Sequence, residues 1–123
     1  MTTGISIVEA FVEAFNQRDV DRIMTFFTDD AVYHNMPTEP AQGKAAVRKA
    51  IELYVPTAQT IDWEIVHSAQ VGSTVLTERI DRFVIGGKPV VLPVMGAFDL
   101  RDGKIAAWRD YFDMATWGRQ MAR

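Results

Sequence analysis

The segment TVLTERIDRFVIGGKPVVLPVMGAFDLRDGKIAAWRDYF, residues 74–112, decides the fold. It contains three runs rich in β-branched and aromatic residues, which are typical of strands. Short turns separate the runs, with Gly86-Gly87 at the first turn and an Asp-Gly pair, Asp102-Gly103, at the second. Turns this short join antiparallel neighbours. The predicted strands are Thr74–Ile85, Val90–Leu100 and Ile105–Phe112.

A further strand is predicted just upstream, at Ile61–Val71, with Gly72-Ser73 as its turn. The second half of the chain therefore predicts an antiparallel meander. Pro93 lies inside one predicted strand, and proline cannot donate a ladder hydrogen bond. We therefore expect a sheet edge or a bulge at Pro93.

The first half of the chain is predicted to be mainly helical. Apolar residues recur at spacings of three and four from Ile5 to Phe15, which predicts one amphipathic helix. A second short helix, capped by Asp19 or Asp21, is predicted to carry the apolar residues up to Phe27. The remaining predicted elements are an extended piece, Ala31–Asn35, and a third helix from about Lys44 to Tyr54, which Pro56 ends.

Helices followed by a meander predict an α+β fold in which helices cover one face of a curved sheet. The 123 residues correspond to one domain, residues 1–123. The net charge of −3, without a long basic run, argues against nucleic-acid binding. The absence of cysteine excludes disulfides and thiolate chemistry. With no long apolar run and no signal-peptide pattern, we expect a cytoplasmic protein that does not bind membranes.

A charged residue occupies a position of the last strand that alternation assigns to the buried face, whereas in the Thr74–Ile85 strand neither face is purely apolar and alternation alone does not identify the inner one. Asp110 lies between Trp108 and Phe112 on one face of the last strand. A buried carboxylate is costly unless it is paired or protonated. Arg79 and Asp81 share one face of a nearby strand and could supply the partner. Spacing alone leaves two interpretations open, a structural ion pair or a catalytic group of two carboxylates and one guanidinium.

Three segments resemble the limonene-1,2-epoxide hydrolase family. The wider pattern of the chain, including the Phe26–Val32 stretch, resembles the NTF2-like superfamily, which also includes SnoaL-like proteins. That superfamily hosts many activities, so the three segments carry the more specific likeness. They are Val32-Tyr33-His34-Asn35-Met36-Pro37, Thr77-Glu78-Arg79-Ile80-Asp81, and Gly103-Lys104-Ile105 leading to Trp108-Arg109-Asp110-Tyr111-Phe112-Asp113.

The resemblance implies a cone-shaped fold, with helices on a curved mixed sheet around an apolar pocket, and a homodimer. It also implies an epoxide hydrolase in which Asp110 is the general base that takes a proton from water. Tyr33 and Asn35 are implied to hold that water. Asp81 is implied to protonate the epoxide oxygen, and Arg79 to bridge the two carboxylates.

This chemistry is consistent with general principles. Opening an epoxide requires a nucleophile at carbon and a proton at oxygen, and two carboxyl groups in one dry pocket resist ionising together. Water is then the nucleophile, without a covalent intermediate, a cofactor or a metal. The sequence lacks the Gly-x-Ser-x-Gly motif of serine hydrolases.

An apolar pocket predicts a hydrophobic epoxide as substrate, such as a cyclic terpene or cycloalkene oxide, or a lipid or sterol epoxide. Matching strand faces predict part of the pocket lining, and the apolar stripes of the helices suggest the rest. The strand residues are Leu92, Val94, Trp108, Phe112 and Phe83; the helix residues are Met24, Phe27, Tyr54 and Ala58.

Several other residues are predicted to lie outside the site. The two histidines are too far apart in sequence for a recognisable metal motif; His34 is predicted to face away from Tyr33, and His67 to lie on a strand surface. Five further residues are assigned to packing, to an interface or to solvent. Trp63 and Trp117 are interpreted as packing or interface residues, Arg109 and Tyr111 as interface residues, and Asp113 as a solvated strand or loop residue.

Two alternatives remain open. One is a ketosteroid-isomerase-like or polyketide-cyclase-like enzyme, whose site does not need an arginine linking two carboxylates. The other is a binding module without catalysis, which does not need the five polar residues together.

Overall fold

The computed structural model describes residues 3–122 as four helices and six strands. In chain order they are α1 (Gly4–Asn16), α2 (Val20–Met24), β1 (Phe27–Asn35), β2 (Ala41–Gln42), α3 (Lys44–Glu52), β3 (Ala58–Val71), β4 (Thr74–Ile85), β5 (Lys88–Arg101), β6 (Lys104–Tyr111) and α4 (Met114–Met121).

The six strands form one curved sheet in the order β2-β1-β6-β5-β4-β3. The predicted antiparallel meander from β3 to β6 is confirmed. Both predicted two-residue turns are also found, and all four of their central residues have positive φ, from 51° at Asp102 to 77° at Gly103. Such turns match the right-handed twist of the flanking strands. The remaining long strand, β1, pairs with β6 in parallel, so the sheet is mixed, as the resemblance implied.

The helices cover the concave side of the sheet and form the core there. Fully buried Phe11 of α1 packs edge-on against Trp108 of β6, with ring centroids 5.0 Å apart. Phe15, one turn later, stacks on Trp63 of β3 at 4.3 Å. One helix thus contacts both the inner strand β6 and the edge strand β3 through aromatic side chains.

The predicted second helix was too long. α2 is capped by Asp19 and ends at Met24, while Phe27 begins β1. The backbone carbonyl of Phe26 accepts a hydrogen bond of 2.7 Å from Ile105 N. Pairing with β6, far along the chain, therefore overrides a helical spacing of apolar residues. The third helix also ends earlier than predicted, at Glu52, and Tyr54 lies in the turn that follows.

The sequence did not predict α4. Asp113 is exposed, but it is the N-cap of this helix and accepts hydrogen bonds from Ala115 N and the Thr116 hydroxyl, at 3.1 and 2.8 Å. The helix docks on β5, where the side-chain amide of Gln120 accepts from Val91 N at 2.7 Å and donates to Val91 O at 2.8 Å.

Pro93 lies on the stretch of β5 that precedes the start of pairing with β6 at Met95. Its neighbour two residues back, Val91, directs its N–H away from β4 toward α4. Backbone N–H directions alternate along a strand, so the nitrogen of Pro93 faces the same free edge. The expectation of an edge position is confirmed, and no ladder hydrogen bond is lost there.

Within residues 3–122, no helix combines the length and apolar character needed to cross a membrane.

Candidate active site

A buried cluster of one guanidinium and two carboxylates lies on the concave face of the sheet. Arg79 is fully buried, and Asp81 and Asp110 are each 3% exposed. Arg79 Nε and Nη2 donate to the two oxygens of Asp81 at 3.0 Å each. Nη2 and Nη1 donate to Asp110 at 2.7 and 3.2 Å. One arginine thus binds both carboxylates in bidentate fashion, which fixes their orientation.

Neighbouring side chains complete the cluster. Trp108 Nε1 donates to Asp110 Oδ1 at 2.7 Å, and Arg79 Nη1 donates to the Thr77 hydroxyl at 3.3 Å. Gly96 lies opposite Thr77 on one side and opposite Asp110 on the other. A Cβ at Gly96 would collide with the guanidinium of Arg79, so the close approach requires glycine here.

Tyr33 and Asn35 reach the same place from β1. The parallel register sets Tyr33 beside Trp108 and Asn35 beside Asp110. The Tyr33 ring stacks on Trp108, with centroids 4.1 Å apart and planes 9° apart. The hydroxyl of Tyr33 is 3.0 Å from that of Tyr54. The structure therefore brings all five predicted polar residues to one site.

Burial and mutual charge set the protonation of the cluster. Burial raises the pKa of Asp81 to about 6, against the opposing effect of Arg79, and the Asp110 carboxylate raises it further. Burial disfavours the charged form of Arg79, but the two carboxylates hold its pKa above the ordinary value. Burial also raises the pKa values of Tyr33 and Tyr54. The site thus combines a permanent cation with a carboxyl group that titrates near neutral pH.

A cavity of about 160 Å³ opens directly above the cluster. Its walls are mainly aromatic and aliphatic, and Tyr33, Asn35, Asp81 and Asp110 supply the polar part. Five of the predicted lining residues are on the wall: Leu92, Val94, Phe112, Phe83 and Tyr54.

The prediction is wrong for the other lining residues, Trp108, Met24, Phe27 and Ala58, which are buried in the core and not on the cavity wall. Trp108 is fully buried because Tyr33 and Phe98 stack on its ring and Phe11 packs edge-on against it. Phe27 packs edge-on against Phe11, at 5.4 Å. An apolar stripe marks the buried side of a helix or strand but does not distinguish core from cavity.

Four lining residues were missed: Thr38, Trp63, Met114 and Trp117. Trp63 and Trp117 had been interpreted as packing or interface residues. Trp63 lies opposite Asp81 on β3, and its ring is 5.1 Å from the guanidinium carbon of Arg79, a cation–π contact. Its buried indole N–H has no hydrogen-bond partner among the described residues. Trp117 of α4 meets Phe83 edge-on at 5.7 Å.

The histidines lie away from the cavity wall. His34 Nε2 pairs with Thr38 O at 2.9 Å, and exposed His67 pairs with Glu78 at 2.8 Å, on the strand surface as predicted. Arg109 forms an ion pair of 2.7 Å with Asp99. Between residues 3 and 122, no three acidic or histidine side chains are grouped to hold a metal ion.

Comparison with known proteins assigns the chain to a family. A family model described as the limonene-1,2-epoxide hydrolase catalytic domain matches residues 2–123. The chain is a member of the limonene-1,2-epoxide hydrolase family. Membership in the limonene-1,2-epoxide hydrolase family makes the chain an enzyme of the epoxide hydrolase class.

Individual proteins agree with this assignment. Epoxide hydrolase EphG of Mycobacterium tuberculosis (strain ATCC 25618 / H37Rv) is 36% identical over 109 residues, which cover 87% of this chain and 71% of that protein. The solved structure of an M. tuberculosis LEH-like epoxide hydrolase superposes with a TM-score of 0.83 at 31% identity, over 97% of this chain and 92% of that one.

The fold is shared more widely than the family. An NTF2-like protein of unknown function from Cytophaga hutchinsonii ATCC 33406 superposes with a TM-score of 0.77, over 96% of each chain, at 16% identity. That likeness concerns the fold alone. The limonene-1,2-epoxide hydrolase assignment distinguishes this chain within the wider group.

Proposed function

We propose that this enzyme adds water to a small hydrophobic epoxide and releases a vicinal diol, in one general acid–base step without a covalent intermediate. The observation that carries the proposal is the buried Arg79 bound to both Asp81 and Asp110 beneath an aromatic cavity. Opening an epoxide needs a base and an acid within reach of one small molecule, and this cluster offers two carboxyl groups at one cavity.

In the proposed mechanism, Asp110 is the base. It takes a proton from a water molecule that Tyr33 and Asn35 hold, and the water oxygen forms its bond to an epoxide carbon. The carbon–oxygen bond breaks as Asp81 gives its proton to the epoxide oxygen. Both carboxyl groups line the cavity, and so do Tyr33 and Asn35, which supports these roles.

Arg79 allows one carboxyl group to act as the base and the other as the acid. Its positive charge allows one carboxylate to be ionised in a buried place, and the raised pKa of Asp81, about 6, favours the protonated form at the other. Arg79 stays charged throughout the reaction. After the step Asp110 has gained one proton and Asp81 has lost one. Exchange with solvent after the diol departs restores the starting protonation of both groups.

The cavity volume favours a substrate of one ring. Its 160 Å³ is close to the roughly 150 Å³ of a protein cavity that binds benzene. A cycloalkene oxide or monocyclic terpene oxide with short substituents matches this space, and a sterol epoxide exceeds it. The six aromatic side chains on the wall suit an apolar ring: Tyr33, Tyr54, Trp63, Phe83, Phe112 and Trp117.

The test is single-turnover hydrolysis of limonene oxide and cyclohexene oxide in oxygen-18 water. We expect labelled diol from the wild type, and almost none from Asp110→Asn or Asp81→Asn, with both variants folded by circular dichroism. Label that enters the diol only after several turnovers would indicate a covalent intermediate and overturn the mechanism. If the folded wild type yields no diol from either epoxide, an isomerase or cyclase role on the same fold becomes the better hypothesis.

We also propose that the enzyme is a homodimer joined through the convex face of its sheet. Exposed apolar side chains lie there on three adjacent strands: Leu76 of β4, Val91 and Met95 of β5, and Tyr111 of β6. Met95 is directly opposite Tyr111 in the sheet register. A contiguous exposed apolar patch is typical of a protein interface, and a two-fold axis would bring two copies of one patch together.

A further inference from the structure

The Tyr54 side chain lies on the cavity wall, outside the three segments that carry the family resemblance. Its hydroxyl is 3.0 Å from the hydroxyl of Tyr33. Tyr33 is one of the two residues proposed to hold the water. The hydroxyl pair therefore connects Tyr54 to the nucleophile through a single hydrogen bond.

The direction of that hydrogen bond follows from the available acceptors. One hydroxyl of a pair donates and the other accepts, because a single proton lies between the two oxygens. Among the described residues, the Tyr54 hydroxyl forms a hydrogen bond with Tyr33 and with no other group. The same is true of the Tyr33 hydroxyl, and a buried donor left without an acceptor is costly. The direction therefore depends on which of the two hydroxyl protons has a second acceptor within reach.

The charge of Asp110 favours donation from Tyr54 to Tyr33. The Asp110 carboxylate raises the pKa of Tyr33 next after burial, whereas at Tyr54 its influence ranks behind the effects of Tyr33. A nearby negative charge attracts the hydroxyl proton of Tyr33. When Tyr54 donates, the Tyr33 proton is free to point toward Asp110 and the water between them.

We propose that Tyr54 is a positioning residue for hydrolysis, whose hydroxyl donates to Tyr33 and thereby directs the Tyr33 hydroxyl proton onto the oxygen of the nucleophilic water. This role rests on the proposed function. Tyr54 takes up no proton from the substrate and forms no bond to it. Its hydroxyl fixes the orientation of Tyr33, so that the water keeps one lone pair free for attack while its own proton points to Asp110.

Packing of the Tyr54 ring can be separated from the hydrogen bond. The ring lies near-parallel to Phe15, at 6.2 Å, and edge-on to Phe83, also at 6.2 Å. Phenylalanine at position 54 keeps both contacts and removes only the hydroxyl. Tyr54→Phe is therefore expected to fold with a melting temperature close to that of the wild type.

The first experiment measures steady-state kinetics on cyclohexene oxide. We expect Tyr54→Phe to lower kcat by about 3- to 10-fold, the size of one lost hydrogen bond, with KM within about twofold of the wild type. The matched control is Leu53→Ala, since Leu53 is the neighbouring residue and is 79% exposed. Its kcat should equal that of the wild type. A Tyr54→Phe effect confined to KM would assign Tyr54 to substrate packing and overturn the proposal.

The double variant distinguishes an indirect role from a direct one. If Tyr54 acts through Tyr33, adding Tyr54→Phe to Tyr33→Phe changes kcat by less than about twofold. If the two losses multiply, the Tyr54 hydroxyl acts independently of Tyr33, and the positioning role is wrong.

A second readout does not depend on turnover. The chain has three tyrosines, so 3-fluorotyrosine labelling gives three fluorine NMR lines, which Tyr54→Phe, Tyr33→Phe and Tyr111→Phe assign. We expect Tyr54→Phe to shift the Tyr33 line and to leave the Tyr111 line in place. An unmoved Tyr33 line means that the hydroxyl pair does not form in solution, which overturns the proposal directly. A shifted Tyr33 line in a protein that hydrolyses no epoxide contradicts the proposed function instead, and with it the role of Tyr54 in hydrolysis.

Discussion

Gly96 gives the buried guanidinium of Arg79 its space. An added Cβ would lie 2.8 Å from Asp110 Oδ1 and 2.9 Å from the Thr77 hydroxyl, and it would also collide with Arg79. We expect Gly96→Ala to lower the free energy of unfolding by about 1–3 kcal/mol, the usual cost of overpacking, and to lower kcat because Asp110 is displaced. Denaturant unfolding and diol formation measure the two effects.

Gly118 provides the matched control. It lies in α4, and a Cβ there would meet no atom within 4 Å. The same change at Gly118 should raise the free energy of unfolding by up to about 1 kcal/mol, since alanine is the better helix former. If the two variants shifted stability in the same direction, the steric argument for Gly96 would be wrong.

The raised pKa of Asp81, the proposed general acid, predicts that activity depends on pH. Burial raises its pKa to about 6, and the proposed acid must carry its proton to act. We therefore expect kcat/KM to fall as the pH rises through about 6, since the protonated fraction of Asp81 falls. The pH profile measured from pH 5 to 8 with a single epoxide checks this. A flat profile over that range would exclude Asp81 as the acid.

The same raised pKa affects stability with a defined sign. The folded protein binds the Asp81 proton more tightly than the unfolded chain, whose carboxyl has the ordinary pKa of 3.8. The resulting stabilisation is full below about pH 3.8 and is lost as the pH rises through about 6. Asp81→Asn has no titrating group at this position and loses no such contribution. In urea titrations from pH 4 to 7, the free energy of unfolding of the variant should therefore rise relative to that of the wild type.

The charged residues of the site could be identified from sequence, whereas two of its aromatic residues could not. Asp110 lies between two aromatic residues on a face predicted to be buried, and a buried carboxylate needs a partner. Arg79 and Asp81 were found as candidate partners because they share one strand face and match a family motif. A tryptophan at an inward position looks the same in sequence whether its ring faces the core or a cavity. Trp63 and Trp117 were therefore interpreted as packing or interface residues, and only the three-dimensional structure shows that they line the cavity.

The C-terminal helix α4 forms one wall of the cavity with little burial of its own. It contributes Met114 and Trp117 to the lining, although none of its residues is fully buried. We expect Trp117→Ala to enlarge the cavity and to raise kcat/KM for bulkier epoxides relative to cyclohexene oxide, because the indole no longer fills the space beside Phe83. Competition between the two epoxides in one reaction measures the ratio.

The control for this change is Arg119→Gln, on the exposed side of the same helix. Its selectivity should match that of the wild type. Equal selectivity in Trp117→Ala would show that α4 does not limit substrate size.

Elements defined by local signals were predicted well, and elements defined by distant contacts were not. Both ends of β4 were predicted correctly, because a glycine-containing turn lies on each side of the strand. α4 is short, and it is held by docking to β5, including the two Gln120 hydrogen bonds, rather than by a strong apolar stripe. The parallel pairing of β1 with β6 joins segments about 75 residues apart, and no local pattern encodes it.

At the scale of the whole molecule, the two faces of the sheet differ: one carries the candidate active site and the other the proposed dimer interface. The concave face holds the site, and the convex face carries the apolar patch of Leu76, Val91, Met95 and Tyr111. We expect the wild type to elute as a dimer in size-exclusion chromatography with light scattering. Met95→Lys should elute as a monomer, because a charge in the centre of an apolar interface is left without a partner.

Leu53→Lys is the control for the dimer, since Leu53 is exposed but lies on the turn after α3, away from the convex face. This variant should remain dimeric. A monomeric wild type at micromolar concentration would exclude the proposed interface.

The placement of the tryptophans has a practical consequence. The chain has three of them, and all are at the site: Trp63 and Trp117 line the cavity, and Trp108 lies directly beneath Tyr33 and binds Asp110. The entire indole emission of this protein therefore originates within or next to the substrate's space. Ligand entry into the cavity is therefore expected to change the intrinsic fluorescence, which is measured without a label and without turnover.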